Sequence, residues 1–206
     1  MPNYIQNIRR VPKPGKANSV LERQVETLKS LNRPGNVSFG VSNPIDIDSA
    51  IITALTFESI SEVEDFHDAF RSNPDAFKRF DYLSSDCENV NIQLLRVIEP
   101  PVMPKGGPKY LSRSIFFAKR GEARNLLEAM SEFRNALDTA TPLITVAVAG
   151  NLDIVRSTIG VSSLEELETI GNEVASDKIR PYVENITSIT VRAVRSLSIV
   201  EYASQG

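Results

Sequence analysis

The sequence predicts an α+β fold in which one β-α-β-β-α-β unit occurs twice. Three observations predict it. First, residues 4–21 align without gaps on residues 110–127, pairing Tyr4 with Tyr110, Lys13 with Lys119, Gly15 with Gly121, Ala17 with Ala123 and Leu21 with Leu127, each pair 106 residues apart in a chain of 206. A repeat of that period marks one folding unit per copy. Second, apolar positions switch between strand-like alternation and helical spacing in the same order in both halves. Third, residues 99–109 (EPPVMPKGGPK) hold four prolines and two glycines in eleven positions, which continues neither a helix nor a strand. The expected organisation is a first repeat over 1–98, a linker over 99–109 and a second repeat over 110–206.

Within the first repeat, residues 4–11 alternate as a strand that Pro12 and Pro14 end, with Gly15 permitting the turn. Residues 16–32 place Val20, Leu21, Val25, Leu28 and Leu31 at helical spacing, and Arg33-Pro34-Gly35 stops that helix. Segments 37–42 and 49–57 read as a hairpin with a longer loop around Asn43-Pro44. A second helix carries Ile60, Val63, Phe66 and Phe70 on one face. Asn73-Pro74 breaks it and starts a further helical piece through about Ser84. Residues 90–98 form the last strand. The second repeat gives strands over 110–118, 143–149, 153–160 and 189–200, with helices over 122–138, 163–176 and a shorter piece through about Asn185. Further matches at smaller offsets pair Ser59 with Ser163, Glu62 with Glu166, Lys78 with Lys178, Tyr82 with Tyr182 and Arg96 with Arg195.

Composition narrows the partners. A net charge of -3 and a pI near 5.4 argue against a general nucleic-acid binder, which would show a basic stripe. No run approaches the roughly 18 apolar residues of a membrane span. The N-terminal residues lack the apolar core of a signal peptide, so a cytoplasmic location is expected. Cys87 is the single cysteine, which rules out an intrachain disulfide and a cysteine metal cluster.

Each unit has the order of a ferredoxin-like fold, an antiparallel sheet with both helices on one face. The other face, assigned here to Ile92, Leu94, Val191 and Ala193, would lie bare in an isolated unit. Pressing the two open faces together buries it; the alternative is two independent units on a tether. In element order, unit length and duplication the chain resembles the dimeric α+β barrel superfamily, with both partners supplied by one chain, and is similar to antibiotic-biosynthesis-monooxygenase-like proteins. The resemblance implies two sheets closing a barrel with helices outside. It does not select a function, because the superfamily spans cofactor-independent monooxygenases, haem enzymes, isomerases and proteins without assigned activity. A fused pair is compatible with further homodimerisation.

Three residues are the candidate ligand-binding positions. Arg96 and Arg195 recur on the closing strands and share parity with Ile92/Leu94 and Val191/Ala193. If those faces line the barrel, both arginines point inward and need an acidic partner or an anionic ligand. Otherwise they form ion pairs or snorkel out of the barrel mouth. His67, on the second helix, is the position from which haem ligation, as in some relatives, would come. Otherwise it is a surface histidine beside Asp65 and Asp68. No cofactor other than that haem is expected. Asp46 and Asp48 are too few oxygen ligands for a cation, and read as turn residues. Cys87 lies between Asp86 and Glu88, which should raise its thiol pKa and argues against a catalytic thiolate. Lys13-x-Gly15 and Lys119-x-Gly121 lack the spacing of a phosphate-binding loop. The first reading is a protein that binds a small molecule between its sheets. The alternatives are a cofactor-independent monooxygenase acting on an aromatic or polyketide-like substrate, and an interaction module.

Overall fold

The computed structural model describes residues 2–45 and 47–204. The first repeat runs β1 (Tyr4–Pro12), α1 (Ala17–Leu31), β2 (Gly35–Ser42), β3 (Ile51–Phe57), α2 (Ile60–Arg71), α3 (Pro74–Ser85) and β4 (Cys87–Glu99). The second runs β5 (Tyr110–Ala118), α4 (Ala123–Ala136), β6 (Leu143–Ala147), β7 (Ile154–Val161), α5 (Leu164–Val174), α6 (Arg180–Ile189) and β8 (Thr190–Ser204). The main departures from the sequence reading lie at the closing strands. β4 begins at Cys87 rather than 90, and β8 continues to Ser204 rather than 200. Each pairs with two strands, β4 with β1 and β6 and β8 with β5 and β2.

The eight strands close into one antiparallel barrel in the order β1-β3-β2-β8-β5-β7-β6-β4. Closure occurs edge to edge. β2 pairs with β8, with Phe39 opposite Ile199, and β4 pairs with β6, with Leu95 opposite Ala147. Advancing the order by four positions turns β1 into β5, β3 into β7, β2 into β6 and β8 into β4. The internal two-fold therefore runs along the barrel axis. The seams also exchange side chains between halves. Tyr202 from β8 packs into the first helix-side core, around Val20, Leu28, Leu55 and Phe57. Ile98 from β4 packs into the second, around Leu126, Met130, Ile144 and Ile186. Two units on a tether would share no core, so the closed barrel is the architecture.

The repeated motifs prove to be local devices. Lys13 Nζ donates to the Ser85 carbonyl at 2.7 Å and Lys119 Nζ to the Ser188 carbonyl at 2.6 Å. Each lysine thus caps the carbonyl end of its unit's last helix, where a cation also meets the negative end of the helix dipole. Gly15 and Gly121 follow at φ of 77° and 85°, the left-handed region open to glycine. Ser59 and Ser163 each accept from the backbone N–H three residues on, at 3.1 Å, while Glu62 and Glu166 reach back to the N–H of Glu58 and Ser162 at 2.7 Å. These are matched capping boxes at the starts of α2 and α5.

One glycine is set by backbone approach. A Cβ on Gly35 would stand 2.3 Å from the Ala54 carbonyl oxygen, whereas a Cβ on Gly171, in α5, would meet open space. Gly35→Ala should lower the urea midpoint, costing about 2 kcal/mol. Gly171→Ala should raise it, by about 0.5 kcal/mol. Equal midpoints for the two variants would show that the β2–β3 contact relaxes without cost.

Candidate functional site

Strand alternation sets what faces the axis. On β1, Tyr4, Gln6 and Arg10 turn toward the helices and Ile5, Asn7 and Arg9 turn inward. Register carries this parity round the barrel. Inward residues are Asn36 and Ser38 on β2; Ile52 and Ala54 on β3; Asn91, Gln93, Leu95 and Val97 on β4; and Leu111, Arg113, Ile115 and Phe117 on β5. β7 adds Arg156 and Thr158, and β8 adds Ser196 and Ser198. They enclose a cavity of about 730 Å³, a size suited to a drug-sized molecule. The linker residues Pro100, Pro101, Met103 and Pro108 also line it. Met103 and Pro108 seat against Gly160 on β7, where a Cβ would come within 2.8 Å of the Met103 sulfur.

Arg113 is the chemically distinctive group in this space. Its Nη1 donates to Ser198 Oγ and its Nη2 to Ser38 Oγ, both at 2.9 Å. Ser38 donates its own hydroxyl toward the Ile52 carbonyl at 3.4 Å. Both acceptors are neutral. Among the described residues no carboxylate pairs with Arg113 or with Arg156. Burial alone pushes the Arg113 pKa down to about 10, and burial likewise lowers that of Arg156. Nε of Arg156 is buried without a partner. The surface that Arg113 retains faces the cavity. Arg9, nearer the β2–β3 loop, donates from Nη2 to the Asp48 carbonyl at 2.9 Å.

The positions expected from sequence fall elsewhere. Arg96 lies opposite Tyr4, on the helix-side face, and is exposed. Arg195 is exposed and donates from Nε to Ser112 Oγ, on the outer parity of the strand, at 2.8 Å, although it also borders the cavity. Their apparent recurrence does not survive the register. Arg96 corresponds in place to Ile199, and Arg195 to Ile92. The face assignment was inverted because the helices, not the cavity, demand the more apolar stripe. Leu94 packs in the first helix-side core, while Ile92 and Val191 project past the helices, 51% and 68% exposed. His67 is exposed on α2, its Nε2 2.7 Å from Gln6 Oε1, with β1 between it and the cavity. Because the chain has one histidine, no histidine reaches the cavity to ligate haem there. Asp46 lies outside the described residues.

Another buried arginine lies outside the barrel wall. Arg10 donates to Gln24 Oε1 at 3.0 Å and stacks over Phe80, and Thr53 donates to the same Gln24 oxygen at 2.7 Å. Burial pushes Arg10 down to about 10. It is packed between sheet and helices rather than facing the cavity. Cys87, nearby, is buried with Sγ 3.4 Å from the Leu83 carbonyl, and burial is the main reason its thiol pKa rises, Asp86 adding to it. A thiolate nucleophile is disfavoured there.

Sequence reasoning missed Arg113, Arg156, Ser38 and Ser198. A signal was present: Arg113 interrupts the stripe Leu111, Ile115, Phe117, and its repeat partner at the same strand position is Asn7, also polar.

The Arg113 charge should cost the ligand-free protein stability. The fall from the ordinary arginine value to about 10 corresponds to about 3 kcal/mol at about 1.4 kcal/mol per pH unit. As pH rises through about 10 the unfolded chain binds more protons, so this contribution to stability rises with pH there. Below about 10 the cost is fully present. Arg113→Met should therefore raise the urea midpoint at pH 7, by about 1 kcal/mol or more after the loss of the serine hydrogen bonds. A lower midpoint would mean that those bonds outweigh the charge.

No family model and no curated sequence matches the chain. Solved structures do match it over its length. A candidate monooxygenase from Fusobacterium nucleatum superposes with a TM-score of 0.71 at 10% identity, covering 100% of this chain and 96% of that one. An anthrone oxidase-like protein gives 0.70 at 10% identity, covering 98% and 93%. A candidate monooxygenase from Lactobacillus acidophilus gives 0.67 at 12% identity, covering 99% and 97%. Identities this low establish a shared fold and nothing further. The chain is a tandem-duplicated α+β barrel of the dimeric, ferredoxin-like type.

Proposed function

We propose that this protein binds an acidic small molecule inside its barrel. The observation that carries the reading is Arg113, a guanidinium buried in the barrel wall, held by two neutral hydroxyls and open to a cavity of about 730 Å³. An uncompensated buried cation is costly, and an anion in the cavity compensates it. Arg156, with its free buried Nε, supplies a second charge on the adjacent strand. A tightly filled interior would instead have favoured an interaction module.

The test is titration calorimetry with benzoate, which stays ionised across the range used. Affinity should be flat between about pH 6 and 9 and should fall as pH rises through about 10, where Arg113 loses its proton. Arg113→Met should weaken binding at least about thirty-fold, a loss of about 2 kcal/mol or more. Affinity unchanged in Arg113→Met would remove the basis of the reading.

A second reading is oxygenation of an aromatic substrate without a cofactor. It is favoured by the names of the neighbours above, two candidate monooxygenases and an anthrone oxidase-like protein. The reactive form of such a substrate is an enolate or phenolate, an anion that Arg113 and Arg156 would stabilise. Asp48, at the rim, is the carboxylate within the lining that would take the proton. Oxygen uptake with anthrone, reduced about a hundredfold in Arg113→Met, is the expected result. Uptake no faster than in buffer leaves binding as the sole role.

A further inference from the structure

The interior of the barrel is asymmetric in a way that constrains the ligand further. Because the internal two-fold runs along the axis, equivalent inward residues of the two repeats stand on opposite walls. Register supplies the equivalences. Ile5 pairs with Leu95 as Leu111 pairs with Ser198; Asn7 pairs with Ala54 as Arg113 pairs with Thr158; Arg9 pairs with Ile52 as Ile115 pairs with Arg156. So Leu95 faces Ser198, Ala54 faces Thr158, Ile52 faces Arg156 and Asn7 faces Arg113. In the first three pairs the first repeat offers an apolar group and the second a polar or charged one, whereas Arg9 facing Ile115 and Asn91 facing Val194 reverse it.

Two of the apolar members, Ala54 and Leu95, are contiguous. Ile5, Ala54 and Leu95 form one buried cluster with Val97, Leu143 and Ala147, spanning β3, β1, β4 and β6. The cationic wall spans the other four strands. There Arg113 on β5 bonds to Ser38 and Ser198, and Arg156 on β7 and Ser196 line the same side, among Leu111, Ile115 and Phe117 of β5. Arg9, on β1, is engaged with the Asp48 carbonyl and belongs to neither patch.

We infer that the ligand is an amphipathic organic acid, one per chain, with its acidic head at Arg113 and Arg156 and its apolar body against the Ile5–Ala54–Leu95 cluster. This rests on the anion-binding reading and narrows it. A small inorganic anion would satisfy the arginines and leave the facing apolar cluster in water, forgoing the burial that the cavity offers. Single occupancy follows from the mismatch of the walls: the two-fold image of the site replaces Arg113 by Asn7 and Arg156 by Ile52.

The experiment is calorimetry on the full chain with dodecanoate, 1-dodecanol and inorganic phosphate, at one pH and salt concentration. Dodecanoate should bind one to one, at least about ten-fold tighter than either comparator. Arg113→Met should weaken dodecanoate at least about ten-fold. Ala54→Thr and Leu95→Ser import the facing residues into the apolar wall. Each should weaken dodecanoate several-fold and leave phosphate unchanged; Ala54→Thr, the milder change, keeps the test if Leu95→Ser fails to fold. Phosphate binding as tightly as dodecanoate, with both lost in Arg113→Met, overturns the amphipathic ligand and keeps the anion site. Two dodecanoates per chain overturn single occupancy. Failure of both anions to bind, or indifference of both to Arg113→Met, overturns the anion site itself.

Discussion

The structure depends on the double pairing of its two closing strands. β4 and β8 each bond to the first strand of their own repeat and to the second strand of the other. Without the second pairing each unit would end in two open edges, which template association with other chains. With it, no edge remains. The same pairing carries Tyr202 and Ile98 across into the opposite helix-side cores, so neither core is complete in one repeat. It also decides that the sheets meet at their edges and curve round a space instead of stacking flat. An eight-stranded barrel of this kind either fills its interior with side chains or holds one small ligand. Asparagine, serine and threonine at many inward positions leave this one hollow.

Charge inside that space sets stability against binding. Arg113 could have been an aliphatic residue, as its neighbours Leu111 and Ile115 are, at less cost to the empty fold. Its guanidinium is instead locked by Ser38 from β2 and Ser198 from β8, the two strands that form one seam. The group is therefore oriented by the closure of the barrel itself. A preorganised buried cation needs no rearrangement to receive an anion, which is where such a cost is recovered. Arg10 shows the contrast. It is also buried and also lowered to about 10, but Gln24 and the Phe80 ring occupy its surroundings and no cavity adjoins it.

The sequence disclosed the repeat, the element order and the barrel, because those rest on strong local signals. Matching Lys-x-Gly turns and Ser-x-x-Glu caps are set by residues a few positions apart, and each works within its own repeat. The inward face of β4 and β8 was not legible in the same way. Hydrophobic alternation reports which face is driest, and here that face lies under the helices while the barrel interior is partly polar. Reading Ile92, Leu94, Val191 and Ala193 as inward followed the usual rule and inverted the two strands, carrying Arg96 and Arg195 with them. Only the register, Tyr4 opposite Arg96 and Tyr110 opposite Ile199, corrects it. His67 was conspicuous as a lone histidine, yet its placement on α2 commits it to Gln6 on the outer face.

Fusion of the two repeats explains why the site can be one-sided. In a dimer of identical units, every residue lining the axis appears twice, on opposite walls. An arginine at the Arg113 position would face its own copy across the cavity, and two like charges in a low-dielectric space repel. A serine at the Ser198 position would likewise remove the apolar residue from both walls at once. Joining the units by the 99–109 linker frees each position to diverge from its image. Asn7 and Arg113, Ile52 and Arg156, and Leu95 and Ser198 are the outcome: at these positions one wall carries a cation or hydroxyl that the other lacks, while Arg9 and Ile115 have diverged in the opposite sense. The helix-side layers diverged too, with Arg10, Gln24 and Thr53 standing where the second repeat has Phe116, Met130 and Ser157. A polarised cavity on a two-fold axis is thus available to the fused chain and denied to the symmetric dimer, whatever molecule it receives.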